Sequence, residues 1–185
     1  MRNSNMDERT KRIFEGIEQG LIDSKFLANI DFVPRLLVNN PDMGEKVLTD
    51  IIKELRECDE FFFCVAFLTM GGYQQLLNTL IELKEKGIKG TIIVSQYQNF
   101  TDPRALRNIL HKFENINLRI VTEDIIKMHS KGYIFKNNQG VRIIIGSSNL
   151  TADALAVNKE WNVKLTSTSD GAYAEKVLKE FDQME

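Results

Sequence analysis

The apolar run Phe61–Leu68, with the sequence FFFCVAFL, most constrains the fold of this chain. Every side chain in the run is apolar, so neither face of a strand built from it can be turned to water. The run is far too short to span a bilayer, which takes about 20 apolar residues in a helix. A strand that is apolar on both faces lies inside a sheet and is covered on both sides. The run therefore predicts a buried central strand.

Apolar segments with strand and helix spacing alternate along the rest of the chain, which predicts an α/β layer sandwich. A polar capping residue followed by proline marks two helix starts, Asn40-Pro41 and Asp102-Pro103. Gly71-Gly72 is expected to break the chain before a helix, and residues 137–140 to form a hairpin turn. Strands are predicted over residues 36–38, 61–68, 91–95, 116–121, 128–135, 141–147 and 160–166, and a last helix from about residue 170.

The chain is predicted to consist of an N-terminal helical extension, residues 1–30, and one domain, residues 31–185. Within the extension, apolar residues at positions 13, 14, 17 and 21 form a helical stripe. That stripe either packs on the domain or offers a surface to a partner.

Charge and cysteine content narrow the classes of function. With 26 acidic and 24 basic residues and a net charge of -2, any contact with nucleic acid must be made by a local patch. Cys58 and Cys64 are expected to be buried free thiols in a reducing compartment. The polar N-terminus lacks the apolar segment of a signal peptide, and no amphipathic membrane helix is evident. The protein is therefore expected to be cytoplasmic and free of the membrane.

One window of the chain is basic although the whole chain is not. Between Asp124 and Asp153 there is no acidic residue. Four basic residues fall there: Lys127, Lys131, Lys136 and Arg142. His129 lies two residues before Lys131, so in an extended strand both side chains share one face. Imidazole can attack phosphorus and form a covalent intermediate, and the lysine supplies positive charge beside it. The window predicts a phosphate site with His129 as nucleophile.

The end of the next strand supplies further candidates for this site. Asn149 offers an amide donor, Ser147 a hydroxyl, and Gly146 lets the backbone approach a phosphate closely. Glu160 is an acceptor that could hold the second ring nitrogen of His129 in one tautomer. Because the positive groups belong to the protein itself, no metal and no cofactor are expected.

Three other side chains are predicted to be structural. His111 lies on a predicted helix, where a lone histidine is expected to be a surface or half-buried residue without a catalytic role. Trp161 and Val163, in the last predicted strand, are expected to face the core.

Three motifs in this order, His-x-Lys, Gly-Ser-x-Asn and Asn-x-Glu, resemble the signature of the phospholipase D superfamily. They are carried by His129, Lys131, Gly146, Ser147, Asn149, Asn158 and Glu160. The superfamily pattern has Asp five residues after the lysine, and Lys136 stands there in this chain. Residues from about 32 to 181 are most similar to the phospholipase D-like domain at the N-terminus of bacterial superfamily II helicases. The phrases that carry this likeness are VAF at 65–67, IGSSNLT at 145–151 and NKEWNV at 158–163.

The resemblance implies a phospholipase D-like α/β/α sandwich with a mixed central sheet, in a protein that also carries a helicase domain. It implies a metal-independent phosphodiesterase or nuclease acting on DNA through a phosphohistidine. Superfamily members use two His-Lys-Asn sets and this chain has one, so two chains are expected to pair as a homodimer. The resemblance assigns catalysis to His129, Lys131, Asn149 and Glu160, and substrate binding to Ser147, Ser148 and Asn158.

A second interpretation stays open. Lys136 in place of Asp is compatible with a catalytically weak or inactive module that binds DNA or dimerises within a helicase or restriction-type system. Phospholipid is a less favoured substrate, because the chain has no second motif. The segment Ser95–Phe100 offers polar and aromatic groups that either contact a nucleic acid strand or form an ordinary surface loop.

Overall fold

The computed structural model describes residues 7, 8, 10, 11, 33–122, 127–169 and 171–184, and the chain divides into two compact units, residues 1–34 and 35–185. In the first unit, the Asp7 carboxylate accepts hydrogen bonds from the backbone N–H of Thr10 at 3.0 Å and from its hydroxyl at 2.7 Å. These bonds form a helix N-cap. The rest of the predicted extension over residues 1–30 lies outside the described residues.

The second unit is built on one seven-stranded sheet with the strand order β1-β7-β6-β5-β2-β3-β4. Strands β2, β3 and β4 are parallel, whereas all other neighbours are antiparallel. The predicted α/β fold with a mixed central sheet is therefore confirmed. The strands are β1 (Arg35–Leu37), β2 (Glu60–Val65), β3 (Lys89–Ser95), β4 (Ile116–Val121), β5 (Gly132–Asn137), β6 (Gly140–Gly146) and β7 (Asn162–Ser167).

Helices cover both faces of this sheet. The described helices are α1 (Val47–Glu57), α2 (Met70–Glu85), α3 (Pro103–Lys112), α4 (Ala152–Ala156) and α5 (Ala172–Asp182). None of the helices in the described part of the chain is long and apolar enough to cross a membrane. Phe61 and Phe63 pack in the cluster formed with α1, α2 and α3, whereas Cys64 packs in the cluster that contains α5. The predicted central strand, β2, is thus buried between two layers.

The two cysteines are buried free thiols, as predicted. Burial raises the pKa of Cys58 to about 12 and that of Cys64 to about 11. Both groups therefore stay protonated near neutral pH, where a thiol is a poor nucleophile.

The antiparallel pairings bring several chain segments to one edge of the sheet, which we call the site edge. The chain leaves β2, β3 and β6 at this edge, and it enters β5 and β7 there. The opposite edge, which we call the far edge, holds the predicted hairpin, in which Asn137 pairs with Gly140. The site edge is where residues distant in sequence can meet.

Two predicted helix starts differ from the structure. Asn40 and Pro41 start only a 3-10 turn, ended by Gly44 at φ 68°, and α1 begins at Val47. Gly71 and Gly72 lie inside the first turn of α2. A Cβ on Gly72 would sit 1.9 Å from the carbonyl oxygen of Leu150, so glycine here permits close contact between the helix and the chain after β6.

Candidate active site

His129 and Lys131 lie side by side at the site edge, just before β5. The predicted strand was to begin at Met128, but β5 begins at Gly132, so both residues lie in the irregular segment that leads into it. Lys131 Nζ lies 2.8 Å from His129 Nδ1 and 3.3 Å from Nε2, and it donates to the carbonyl oxygen of His129 at 2.6 Å. The Lys131 side chain therefore folds back on His129. The two side chains meet although they do not lie on one face of a strand, which was the predicted arrangement.

Lys131 is buried, and its ammonium group has no carboxylate partner among the described residues. The residue is 8% exposed, and burial lowers the pKa of Lys131, while the negative charge of Glu160 partly raises it. Among the described residues, no carboxylate oxygen lies within 4 Å of Nζ. A positive charge held mainly by neutral acceptors is well suited to bind an anionic ligand.

Phe67, in the segment after β2, connects His129 with Asn149. Its ring meets the imidazole edge-to-face with centroids 6.0 Å apart. Its backbone N–H donates to Asn149 Oδ1 at 3.1 Å. Because that bond fixes the oxygen of the Asn149 side chain, the amide NH₂ is directed away from Phe67 and can donate to a bound ligand.

Ser147, Glu160 and Trp161 form a second hydrogen-bonded group at the site edge. The Ser147 hydroxyl donates to Glu160 Oε2 and accepts from Trp161 N–H at 3.1 Å, while Ser147 N–H donates to the Trp161 carbonyl at 3.1 Å. A Cβ on Gly146 would lie 2.3 Å from that carbonyl oxygen, which explains the glycine. Glu160 is thus positioned by Ser147, and its predicted bond to His129 stays a prediction.

The Ser148 side chain does not reach the site surface, and its predicted substrate-binding role stays a prediction. It is fully buried; its hydroxyl donates to the Ala154 carbonyl at 3.3 Å and accepts from Asn162 Nδ2 at 2.9 Å. Its carbonyl oxygen accepts from the buried Tyr133 hydroxyl at 2.9 Å. Ser148 therefore supports the Ser147–Asn149 segment from below, with Asn162 and Tyr133 as partners that the sequence motifs did not indicate.

Asn158 lies on the exposed chain between α4 and β7. Its backbone N–H donates to the Asp153 carbonyl at 2.7 Å, and its carbonyl accepts from Asn39 Nδ2 at 2.7 Å. Asn39, after β1, was also missed by sequence reasoning. Its side chain bonds three backbone groups, those of Val47, Ala154 and Asn158, and so joins β1 to the site. The substrate-binding role of Asn158 stays a prediction.

Two residues of the last predicted strand are more exposed than predicted. Trp161 is 67% exposed and Val163 41% exposed, so the prediction that both face the core is wrong. Trp161 lies at the site edge just before β7 and Val163 lies in β7, and no described helix covers either side chain.

Lys136 lies on β5 toward the far edge, where it pairs across the strands with Glu60 and its Nζ is 3.8 Å from that carboxylate. The departure from the superfamily pattern therefore falls away from His129 and Lys131.

Side chains suited to metal binding do not gather in the described part of the chain. No group of three or more His, Cys, Asp or Glu residues there has the arrangement of a metal site.

His129, Lys131 and Asn149 thus lie at one edge of a mixed sheet in an α/β domain. Residues 51–185 match the family described as "Cardiolipin synthase, PLD-like domain". The chain therefore belongs to this family of phospholipase D-like domains. A comparison with curated protein sequences finds no significant match.

Solved structures share this fold at low sequence identity. NucT from Helicobacter pylori is 17% identical with a TM-score of 0.62, and the match covers 82% of this chain and 96% of NucT. Nuc from Salmonella typhimurium, a phospholipase D family member, is 18% identical with a TM-score of 0.59 and coverage of 82% and 93%. Phosphatidylserine synthase from Haemophilus influenzae is 17% identical with a TM-score of 0.68, and the match covers 98% of this chain but only 47% of the synthase. At these identities the matches show the fold alone.

Proposed function

We propose that this domain is a metal-independent phosphodiesterase that cleaves DNA through a phosphohistidine formed at a site shared by two copies of the chain. The observation that carries the proposal is the Lys131 ammonium, buried beside His129 with no carboxylate of the described residues within 4 Å. A phosphodiester brings the anionic oxygens that this charge lacks, together with a phosphorus atom for the imidazole to attack.

Lys131 Nζ lies within hydrogen-bonding distance of both ring nitrogens of His129, 2.8 Å from Nδ1 and 3.3 Å from Nε2. When the lysine donates to Nδ1, a neutral ring keeps its own proton on Nε2 and cannot attack through that nitrogen. Attack requires Lys131 to transfer its hydrogen bonds to the non-bridging phosphate oxygens, and the ring proton to move to Nδ1. We propose that the Glu160 carboxylate, which the Ser147 hydroxyl positions, then accepts a hydrogen bond from the Nδ1–H group of His129.

The reaction needs a second imidazole, because one ring cannot attack phosphorus and protonate the leaving oxygen on the opposite side. We propose that the partner subunit's His129 supplies that proton across a two-fold axis. The attack forms a bond from nitrogen to phosphorus and breaks the bond from phosphorus to the leaving oxygen. Water then breaks the N–P bond, which releases a phosphomonoester and restores the imidazole. The match to nearly whole Nuc-type chains, but to about half of a synthase, supports one motif set per chain.

DNA as the substrate and a helicase-type domain elsewhere in the protein are proposed from the sequence likeness alone. The motifs and the phrase IGSSNLT at 145–151 carry that likeness. The basic window around Lys131 provides the local positive charge that DNA binding requires in a chain with a net charge of -2.

The proposal is tested by incubating the protein with labelled single- and double-stranded DNA in excess chelator. Wild type and His111→Ala, which removes an exposed histidine from α3, should cleave, and His129→Ala should not. Acid quenching would destroy a phosphohistidine and alkaline quenching preserve it, so a 32P label should stay on the wild-type chain only after alkaline quenching. Loss of wild-type cleavage in chelator contradicts the metal-independent mechanism. Equal DNA binding by both histidine variants with no cleavage by any protein supports the binding-module alternative.

The shared site is tested by mixing unfolded wild type and His129→Ala in equal amounts and refolding them together. If each active site takes one imidazole from each chain, only about one quarter of the dimers are active. The total activity should then fall to about half of that from the wild-type chains refolded alone. Activity proportional to the wild-type content means that each chain acts by itself.

A further inference from the structure

We infer that the exposed ring of Phe100 is a stacking platform for a nucleobase next to the phosphate bound at His129 and Lys131. This inference rests on the proposed function, because it specifies how the same site would hold its substrate. Phe100 is 59% exposed and lies in the chain after β3, at the site edge. It is the last residue of the segment Ser95–Phe100, for which the sequence left a nucleic acid contact and an ordinary surface loop both open.

The ring of Phe100 is linked to the imidazole through a single intervening ring. Its centroid is 5.2 Å from that of Phe67, at an interplanar angle of 70°, and Phe67 is in turn 6.0 Å from His129. A nucleotide carries its base one sugar away from its phosphate. A phosphate at His129 therefore brings an adjacent base within reach of Phe100, whose uncovered surface can stack on any of the four bases.

The loop that presents the ring is held in a strained shape. Gln98 and Asn99 have φ values of 49° and 57°, in the left-handed region that side chains other than glycine seldom adopt. Strain of this kind persists where surrounding bonds impose it, and it concentrates at functional sites. Here the Thr101 hydroxyl donates to the Ser95 carbonyl at 2.9 Å and accepts from Leu68 N–H at 3.4 Å, so the loop is tied to the residue after Phe67.

The charge of the loop also suits a polyanion. Residues 95–101 contain no charged side chain, and their exposed members include the amides of Gln96, Gln98 and Asn99. Asp102, which follows, has its carboxylate bonded to Arg104, with Oδ2 and Nη2 2.9 Å apart. A DNA strand that reaches Phe100 therefore meets hydrogen-bonding amides and no uncompensated negative charge within this loop.

The inference is tested by binding, so that it does not depend on cleavage. Two fluorescent single-stranded DNAs of equal length are compared, one with all its bases and one abasic at its central positions. Dissociation constants are measured by anisotropy in a His129→Ala background. Phe100→Ala should raise the dissociation constant for base-bearing DNA about tenfold and leave that for abasic DNA unchanged. Phe100→Trp should bind base-bearing DNA as well as the parent.

Two controls separate stacking from simple covering of Phe67. Phe100→Leu keeps apolar bulk without an aromatic face, and it should bind base-bearing DNA as weakly as Phe100→Ala. Leu110→Ala removes a 64% exposed apolar side chain from α3 and should change neither constant. Full binding by Phe100→Leu, or an equal loss for both DNAs, overturns the platform. A lower molecular mass of Phe100→Ala in light scattering also overturns it, since the ring would then belong to a contact between copies.

The outcomes for the platform and for the nuclease are distinguishable. Base-dependent binding through Phe100 by a wild-type protein that does not cleave DNA supports the platform and refutes the nuclease. Cleavage and binding that are both unchanged in Phe100→Ala refute the platform and leave the nuclease standing.

Discussion

Lys131 and Lys164 are both buried, yet the protein surrounds them in opposite ways. Lys164, on β7, is 9% exposed; it donates to Glu54 and lies 3.7 Å from Asp50, both on α1. Lys131 is 8% exposed and contacts the ring and carbonyl oxygen of His129, with no carboxylate of the described residues within 4 Å. The difference shows that burial of a lysine alone says little about its role, whereas the charge of its partners says much.

The neutralised lysine belongs to the packing of α1 on the sheet. Glu54 is 2% exposed and also meets Arg142, with Nε 3.2 Å from Oε2, so one buried carboxylate serves two cations. Among the described residues, Lys131 has no carboxylate within 4 Å, and only the more distant charge of Glu160 partly offsets the cost of its burial. We therefore expect substitutions around Lys164 to affect stability and substitutions of Lys131 to affect function.

The largest effect is expected from Glu54→Gln, which leaves Lys164 and Arg142 without their shared carboxylate. The free energy of unfolding should fall by about 3–5 kcal/mol, because removing one partner leaves buried charge uncompensated. Urea denaturation measures this change. Glu57→Gln, at an exposed position of the same helix, should change it by less than about 0.5 kcal/mol. If Glu54→Gln lowers the free energy of unfolding as little as Glu57→Gln does, then Asp50 alone compensates the two cations.

Lys131→Met should show the reverse pattern. Cleavage should fall by about 10²–10³-fold, as when one preorganised donor to the reacting oxygens is removed. The free energy of unfolding should stay the same or rise, because a desolvated charge is replaced by an apolar side chain of similar length. The matched control is Lys136→Met, an exposed lysine of the same β5 region, which should cleave DNA normally. A large loss of stability in Lys131→Met would place this lysine with Lys164 as a structural residue.

A smaller effect is expected in the pH dependence. Burial lowers the pKa of Lys131, and Glu160 partly raises it. The folded chain thus loses this proton at lower pH than the unfolded chain, so stability from this residue rises with pH between the two pKa values. The stability gained by Lys131→Met should shrink as pH approaches the usual lysine pKa of about 10.4. The alkaline fall of kcat/KM should move to lower pH in Glu160→Gln; an unmoved profile means that another group controls it.

The smallest effect is expected from Lys136→Asp, which restores the residue type of the superfamily pattern. The side chain is 46% exposed and its pairing with Glu60 is a surface ion pair, worth at most about 1 kcal/mol. Stability should therefore fall slightly as two carboxylates come together, and cleavage should change less than about twofold. A marked gain of activity would show that the far edge influences the site after all.

The order of strands and helices was predictable because apolar spacing encodes it directly. The buried run at Phe61 became β2, and the hairpin at residues 137–140 formed as its turn residues indicated. Errors arose where long-range contacts decide. Gly72 reads as a break in isolation, yet it serves contact with Leu150, some 80 residues away in sequence. Trp161 reads as a core residue, yet no described helix covers it.

The site was predictable as a set of residue types but not as a set of contacts. Motif spacing identified His129, Lys131 and Asn149, whose chemistry does not depend on their neighbours. The supporting residues Tyr133 and Asn162 were missed, because a buried phenol or amide becomes meaningful only through the backbone groups it reaches. The burial of Lys131 likewise follows from packing and not from any local pattern.

The two loops that carry Phe67 and Asn149 are hydrogen-bonded to each other as one short parallel ladder. Leu150 N–H donates to the Phe67 carbonyl at 3.1 Å, Thr69 N–H donates to the Leu150 carbonyl at 3.2 Å, and the Asn149 side chain closes the set. A fluctuation that exposes one of these amides to solvent must break bonds on both loops. The amide hydrogens of the two loops should therefore exchange with solvent in a single concerted opening. Phe67, which contacts the imidazole, and the amide donor Asn149 would then lose their positions together.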